Sequence, residues 1–217
     1  MVQVKKLLGQ TAVYGTTTIL GRLLNYLLVP FHTYIFINQS AYGVVGEMYA
    51  WVALLMALLT YGMETAFFRF AEMEQDKVNV FRTTLTCIMI TTSLFVLLGL
   101  LFNHQIANVM QYSNHSEYIR WFVLIVAMDA ISTIPFARLR SEGKAFHFAG
   151  IKIANILINV FFNIFFLWFC PLMINYGIAT SFFKMIYSPE VGVGYIFIAN
   201  LIASSIQIIL LLFTCGK

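Results

Sequence analysis

Five ionisable side chains stand out because they lie inside or at the ends of long apolar stretches. Arg22 and Asp129 lie near the middle of two such stretches. Glu47, Glu64 and Arg69 belong to a third stretch and lie nearer its ends. If these stretches cross a bilayer, a charge at mid-depth costs about 2.5–3.5 kcal/mol, so its side chain usually faces protein or a water-filled cavity. All five are therefore candidates for contact with a polar ligand or an ion.

Arg22 and Asp129 admit three interpretations. At 1.5 Å per residue along a helix, both lie near the same depth, so they could form an ion pair that fixes neighbouring helices. They could instead line a charged cavity that accepts a polar or anionic cargo, or they could be unrelated. Glu47 is also ambiguous, because it could extend to the outer membrane interface or couple transport to a proton or another cation.

The composition explains why a membrane is expected. Of the 217 residues, 60% are hydrophobic and only 10% are charged, against about 45–50% and about 25% in soluble chains. Such a chain lacks the polar residues to cover a soluble surface, whereas a bilayer solvates apolar side chains directly. We therefore predict an all-α integral membrane protein whose first partner is the lipid bilayer.

Six stretches approach the ~20 residues that a helix needs to cross the hydrocarbon core. Because each run is continuous rather than alternating, helices are favoured over barrel strands. The sequence predicts a single six-helix domain over residues 1–217, with spans at about 11–37, 43–62, 81–102, 118–137, 148–169 and 191–213.

The basic residues predict the orientation of these spans. With six spans, ten of the 13 lysines and arginines fall on one side, including Arg138, Arg140 and Lys152 after the fourth span. The opposite side holds only Arg120 and Lys184. Since cytoplasmic loops carry an excess of lysine and arginine, both termini are predicted to be cytoplasmic.

Several functions have no support in the sequence. It contains no GxxxxGK[ST] phosphate loop and no Cys/His spacing typical of a metal site. It also has no basic segment interleaved with aromatics in a soluble-looking region, the pattern of nucleic-acid binding. The expectation is therefore a protein that is not an enzyme, has no cofactor or metal, and does not bind nucleic acid.

Three segments resemble one known family. They are LGRLLNYLLVPFHTYIF at 20–36 with AYG at 41–43, YGMETAFFRF at 61–70, and RLRSEGKAFHFAGIKIANILINVFFNIFF at 138–166. Together they are similar to bacterial O-antigen and lipid-linked oligosaccharide flippases of the multidrug/oligosaccharidyl-lipid/polysaccharide exporter superfamily. The resemblance implies a polysaccharide-biosynthesis protein of the bacterial inner membrane that moves a lipid-linked sugar between leaflets by alternating access.

The resemblance also implies roles for particular residues. Arg22 matches the arginine of the first helix in the family pattern, and Arg69 the one that ends the second helix. Arg22 is therefore expected to contact the sugar-pyrophosphate head group, with Asn25, Glu64 and Asp129 as weaker binding candidates. Glu47 and Asp129 are the candidates for ion coupling.

Members of this family normally have two six-helix lobes, so the chain is expected to form the N-terminal lobe and to need a second one. That lobe could come from a C-terminal half, a separate chain or another copy. Two alternatives remain open. One is half of a cation-coupled multidrug exporter, and the other is a non-transporting membrane subunit of a polysaccharide assembly complex.

Overall fold

A computed structural model describes residues 2–36, 39–74, 76–111, 115–177 and 180–215, with the side chains of 2–8, 10, 25 and 39–41 left out. Within these ranges the chain is helical and forms no β-strand. The α-helices are α1 (Val2–Ile35), α2 (Gln39–Thr60), α3 (Met63–Met73), α4 (Lys77–Leu101), α5 (Asn103–Val109), α6 (Ser116–Ser141), α7 (Ala145–Ile164), α8 (Cys170–Asn175), α9 (Thr180–Ile186) and α10 (Gly194–Cys215).

The all-α membrane class is confirmed, but the described residues do not show all six predicted spans. Five segments of the described chain are long and apolar enough to cross a membrane: Tyr42–Met73, Lys77–Leu101, Ser116–Ser141, Ala145–Asn175 and Gly194–Cys215. The predicted span 11–37 is helical from residue 11 to Ile35, as part of α1, but it is not among these five. Its length is sufficient, whereas Arg22, Asn25 and three consecutive threonines make its sequence less apolar.

Two predicted connections contain short helices. The segment 103–117 carries α5, and the segment 170–190 carries α8, α9 and a 3-10 turn at Pro189–Val191. Between α2 and α3 the chain turns at Gly62, whose φ of 75° is the left-handed conformation that glycine adopts without strain. The predicted end of the second span at Gly62 therefore coincides with a break in the helix.

A wide π-helical turn over Phe165–Phe169 joins α7 to α8. Pro171 lies two residues after the end of this turn, and a proline inside a helix removes one N–H and crowds the carbonyl four residues earlier. The turn accommodates this, because the N–H of Cys170 bonds to the carbonyl of Phe165, five residues back. The long apolar segment can therefore continue to Asn175 without a broken end inside the membrane.

The bundle is organised around α6. Its apolar stretch is 67% buried inside the protein, the largest share among the five spans. Helices α10 and α4 pack along it, and α2 and α3 also rest on it, whereas α1 packs mainly on α7. Within the described residues, helices α1 and α2 touch each other little, so a cleft lies between the α1–α7 pair and the α2–α6 pair.

Close packing between α4 and α6 depends on Gly99. A β-carbon at this position would lie 2.7 Å from Cγ2 of Val123 on α6. We predict that Gly99→Ala lowers the free energy of unfolding by about 1–3 kcal/mol, the usual cost of overpacking, measured by thermal unfolding in detergent.

Gly150→Ala on α7 is the matched control, because its β-carbon would meet no atom within 4 Å. This control should keep or gain stability, since alanine is the better helix former by about 1 kcal/mol. Adding Val123→Ala to the Gly99 variant should recover part of the loss. A Gly99→Ala protein as stable as the wild type would contradict the tight α4–α6 contact.

Candidate functional site

Two cavities follow one another along the cleft between the helices. Asp129, Asn155 and Asn200 line both of them. The lining of α7 runs from Phe148 in one cavity to Asn163 in the other. This stretch covers about 22 Å at 1.5 Å per residue, most of the ~30 Å hydrocarbon core of a bilayer. A polar path therefore extends along an otherwise apolar bundle.

The first cavity, here called the charged cavity, has a volume of about 330 Å³ and lies where α6 ends and α7 begins. It contains two acidic and two basic side chains, surrounded by hydroxyls and amides. Its lining is formed by Met56, Glu64, Asp129, Ser132, Thr133, Phe136, Arg140, Phe148, Lys152, Asn155, Asn200, Ser204 and Gln207.

One basic residue of the charged cavity is bound to a carboxylate. Nη2 of Arg140 on α6 donates to Oε1 of Glu64 on α3 at 2.5 Å. The guanidinium also lies over the rings of Phe68 and Phe148, with centroid distances of 5.4 and 5.8 Å. Its Nε is buried and, within the described residues, has no hydrogen-bond partner. Arg140 therefore has donor capacity that Glu64 does not use.

Asp129 and Lys152, the other acidic and basic residues of the charged cavity, are not in direct contact. Oδ1 of Asp129 accepts a hydrogen bond from Ser204 Oγ at 3.1 Å. Nζ of Lys152 lies 4.3 Å from the ring centroid of Phe136, and Lys152 and Asp129 attract one another electrostatically. Within the described residues, Lys152 has no carboxylate oxygen within 4.0 Å. Its ammonium group is therefore the cation of this cavity that carries no direct carboxylate contact.

The end of the bundle next to this cavity is fixed by Arg138. Its Nε donates to Glu142 at 2.6 Å, and its Nη1 donates to the carbonyl of Cys215 at the end of α10. Partial burial raises the pKa of Glu142, but hydrogen bonds from Lys144 and Arg138 outweigh it and hold that pKa below its usual value. The ends of α6 and α10 are thereby tied together beside the charged cavity.

The second cavity, here called the asparagine cavity, has a volume of about 420 Å³. Asn155, Asn159 and Asn163 project into it from α7 at four-residue spacing, which places them on one helix face. The complete lining is Leu28, Val29, His32, Tyr42, Val45, Gly46, Tyr49, Asp129, Asn155, Ile156, Asn159, Asn163, Ile196 and Asn200.

Hydrogen bonds join α1 to α7 and α2 to α10 around the asparagine cavity. Nε2 of His32 lies 2.9 Å from Oδ1 of Asn163, and both side chains are buried, at 4% and 0% exposure. Nδ2 of Asn163 donates to the backbone carbonyl and to Oδ1 of Asn159. Across the cleft, Nδ2 of Asn200 donates to the hydroxyl of Tyr49 at 3.0 Å.

Two of the residues predicted from sequence meet in the charged cavity, namely Glu64 and Asp129. Arg22, Glu47 and Arg69 have exposed side chains and line neither cavity. The side chain of Asn25 lies outside the described residues.

Of the three interpretations of Arg22 and Asp129, the ion pair between them is not formed. Within the described residues no ion pair includes Arg22, and the cation that acts on Asp129 is Lys152 from α7. Gly21, the neighbour of Arg22, faces α7 instead, since a β-carbon there would lie 2.9 Å from Cδ1 of Ile156. A residue one position further is turned by about 100° around the helix, which carries Arg22 away from the bundle.

The main residues that the sequence analysis missed are Arg140, Lys152 and the asparagines. In the sequence, Arg140 and Lys152 served only to predict which side of the membrane is cytoplasmic. The asparagines did carry a signal, because amides every four residues in the apolar run of α7 mark one polar helix face. Among the described residues, no group of three His, Cys, Asp or Glu side chains could hold a metal ion.

No protein-family model, curated protein or solved structure matches this chain. The two cavities, with their charges and amides, are therefore the features that point to a function.

Proposed function

We propose that the protein translocates a lipid-linked oligosaccharide or polysaccharide precursor across the bacterial inner membrane by alternating access. The observation that carries this proposal is the pair of connected polar cavities inside an apolar helix bundle. Intramembrane charges are costly and typically mark the path of a substrate or an ion. Buried ion pairs contribute little to folding stability, so stability alone does not explain the four charged residues of this cavity, which are Glu64, Asp129, Arg140 and Lys152.

The charged cavity suits a pyrophosphate. Arginine and lysine are the usual partners of phosphate oxygens, arginine through its donor fork and lysine as a point charge. Two basic residues face two acidic ones here, so the formal charges of the cavity lining sum to zero. A pyrophosphate would compete with Glu64 for Arg140 and would attract Lys152. In this proposal, cargo binding opens the Arg140–Glu64 contact between α6 and α3.

The cleft between α1 and α2 offers a lateral path for the head group. These two helices make little contact, and residues of both line the asparagine cavity. A head group entering there could leave its polyprenyl tail in the surrounding lipid. The proposal includes α1 as a sixth transmembrane helix and both termini on the cytoplasmic side. It also includes a second transmembrane lobe, as in the family that the sequence resembles.

A cation-coupled exporter of drugs is the second candidate, and Asp129 favours it. Its carboxylate lines both cavities and accepts from Ser204, so a proton or a monovalent cation could bind there during transport. The same residue could couple an ion to the movement of a sugar lipid, so the two candidates differ in cargo rather than in the coupling residue.

Deletion of the gene in its natural host should separate the candidates. We expect loss of surface polysaccharide, with the lipid-linked precursor accumulating in the cytoplasmic leaflet, because synthesis continues while translocation stops. Quantification of both species, with the wild-type gene restored as control, measures this. Normal polymer and precursor levels together with lost drug efflux would contradict the flippase and support the exporter.

A further inference from the structure

We infer that the asparagine cavity is a binding site for a neutral, polyhydroxylated group, which is the chemistry of a sugar ring. This inference rests on the proposed function and assigns a separate part of the cargo to each cavity. The pyrophosphate belongs to the charged cavity, and the sugar to the asparagine cavity.

The orientation of Asn163 is determined by its neighbours. Its Nδ2 lies 2.8 Å from the carbonyl oxygen of Asn159 and 2.9 Å from Oδ1 of the same residue, and both of these atoms only accept. A reversed amide would set oxygen against oxygen at both contacts. Oδ1 of Asn163 therefore faces Nε2 of His32, and that nitrogen must carry the hydrogen. In neutral His32, Nδ1 is then an acceptor.

The remaining hydrogen-bonding capacity is mixed. Oδ1 of Asn159 is occupied, which leaves its NH₂ group as a donor towards the cavity. The hydroxyl of Tyr49 accepts from Asn200, so it retains its own hydrogen to donate, and Oδ1 of Asn200 remains an acceptor. Asn155 contributes one donor group and one acceptor. The cavity thus presents donors and acceptors side by side.

A hydroxyl group is the ligand that uses such an arrangement fully, because it donates one hydrogen bond and accepts two. No lysine or arginine is among the described residues that line the asparagine cavity, and its one formal charge is Asp129, at the junction with the charged cavity. An anion would find no cation there and would be repelled by Asp129. The cavity volume of about 420 Å³ lies in the ~300–1,000 Å³ range of small-molecule sites.

Hydrogen bonds that hold the helices together do not explain all of the polar side chains in the asparagine cavity. The His32–Asn163–Asn159 bonds tie α1 to α7, which is a sufficient structural reason for those three residues. Asn155 is different, since its amide forms no hydrogen bond within the described part of the chain, although it lines both cavities. A polar side chain in the apolar run of α7 without a protein partner is expected where a ligand supplies the partner.

The test compares lipids with and without a sugar. The probes are polyprenyl pyrophosphate, the same lipid carrying glucose, galactose or N-acetylglucosamine, and the free methyl glycosides of these sugars. Dissociation constants are measured on the purified full chain in nanodiscs by native mass spectrometry. We expect at least one sugar-bearing lipid to bind about 10-fold more tightly than polyprenyl pyrophosphate, as a few additional hydrogen bonds would provide.

Asn155→Leu and Tyr49→Phe should each remove about 3- to 10-fold of that preference, the value of one hydrogen bond. Tyr49 lines the asparagine cavity and not the charged cavity, so Tyr49→Phe should leave binding of the sugar-free lipid unchanged. Tyr34→Phe on α1 is the matched control, because its ring is 85% exposed and lines neither cavity. Asn155 takes part in none of the helix-fastening bonds, so its variant should fold.

Each outcome has a definite meaning. Equal affinity for all the lipids, or a preference for the sugar-bearing lipid that remains in both variants, would overturn the inference. Tight binding of the sugar-free lipid in the same experiment would still support the proposed function. Binding of neither kind of lipid would overturn both. Binding of a free methyl glycoside as tightly as the lipid-linked sugar, sensitive to both variants, would support the sugar site and overturn the lipid-linked cargo.

Discussion

Replacing Lys152 by methionine should reduce translocation by about 10- to 150-fold, since a hydrogen bond to a charged group is worth about 1.5–3 kcal/mol. Arg140 is already bound to Glu64, whereas the ammonium group of Lys152 has no carboxylate within direct contact among the described residues. Lys152 is therefore the cation most available to a pyrophosphate. The measurement is the rate at which the precursor reaches the outer leaflet, normalised to the amount of folded protein.

The same substitution leaves Asp129 without its electrostatic partner, which can lower the amount of folded protein. The double variant Lys152→Met/Asp129→Asn removes both charges and should recover the protein level but not translocation. Lys77→Met, at the exposed start of α4, is the matched control and should behave like the wild type. Full translocation in the Lys152 variant would show that this ammonium does not contact the cargo.

Asn163→Leu should lower the free energy of unfolding by about 1–3 kcal/mol, the cost of leaving a buried polar group unpaired. The amide of Asn163 is fully buried, and its loss leaves the N–H of His32 without its acceptor between α1 and α7. Thermal unfolding in detergent measures the effect. Asn108→Leu, on the exposed side of α5, provides a matched control with the same change of side chain.

A double-mutant cycle isolates the His32–Asn163 bond itself. His32→Leu combined with Asn163→Leu should be more stable than the sum of the single losses predicts. The difference should be about 0.6–1.7 kcal/mol, from the average to the largest value measured for side-chain bonds between membrane helices. Strict additivity of the two losses would mean that the bond does not hold α1 to α7.

The elements of the fold were largely predictable, because an uninterrupted apolar run of span length has few alternatives to a helix. Within the described residues, each of the six predicted segments is helical over most of its length. The number of spans was harder to predict, since Arg22 and Asn25 lower the hydropathy of α1. The short helices α5 and α8 were missed, because isolated helices of six or seven residues leave no periodic pattern and depend on tertiary packing.

The site was predictable only in part, for a geometric reason. The sequence gives the depth of a residue along its helix, but the direction of its side chain depends on how the helix is rotated against its neighbours. Asp129 and Arg22 were placed at similar depth, yet Asp129 lies between the cavities and Arg22 is exposed on α1. Lys152 was interpreted as a cytoplasmic charge, whereas it lies about two turns inside α7 and faces the charged cavity.

Reconstitution is the most direct test of the proposed transport. The protein is purified from its natural host together with its second transmembrane lobe and is placed in vesicles that carry a fluorescent polyprenyl-pyrophosphate sugar lipid. A membrane-impermeant quencher reports the leaflet of the label under an imposed proton or sodium gradient. We expect that wild-type protein moves the lipid at least about 10-fold faster than the Lys152→Met variant, whose rate should approach that of protein-free vesicles. Equal rates in wild-type, variant and protein-free vesicles would contradict it.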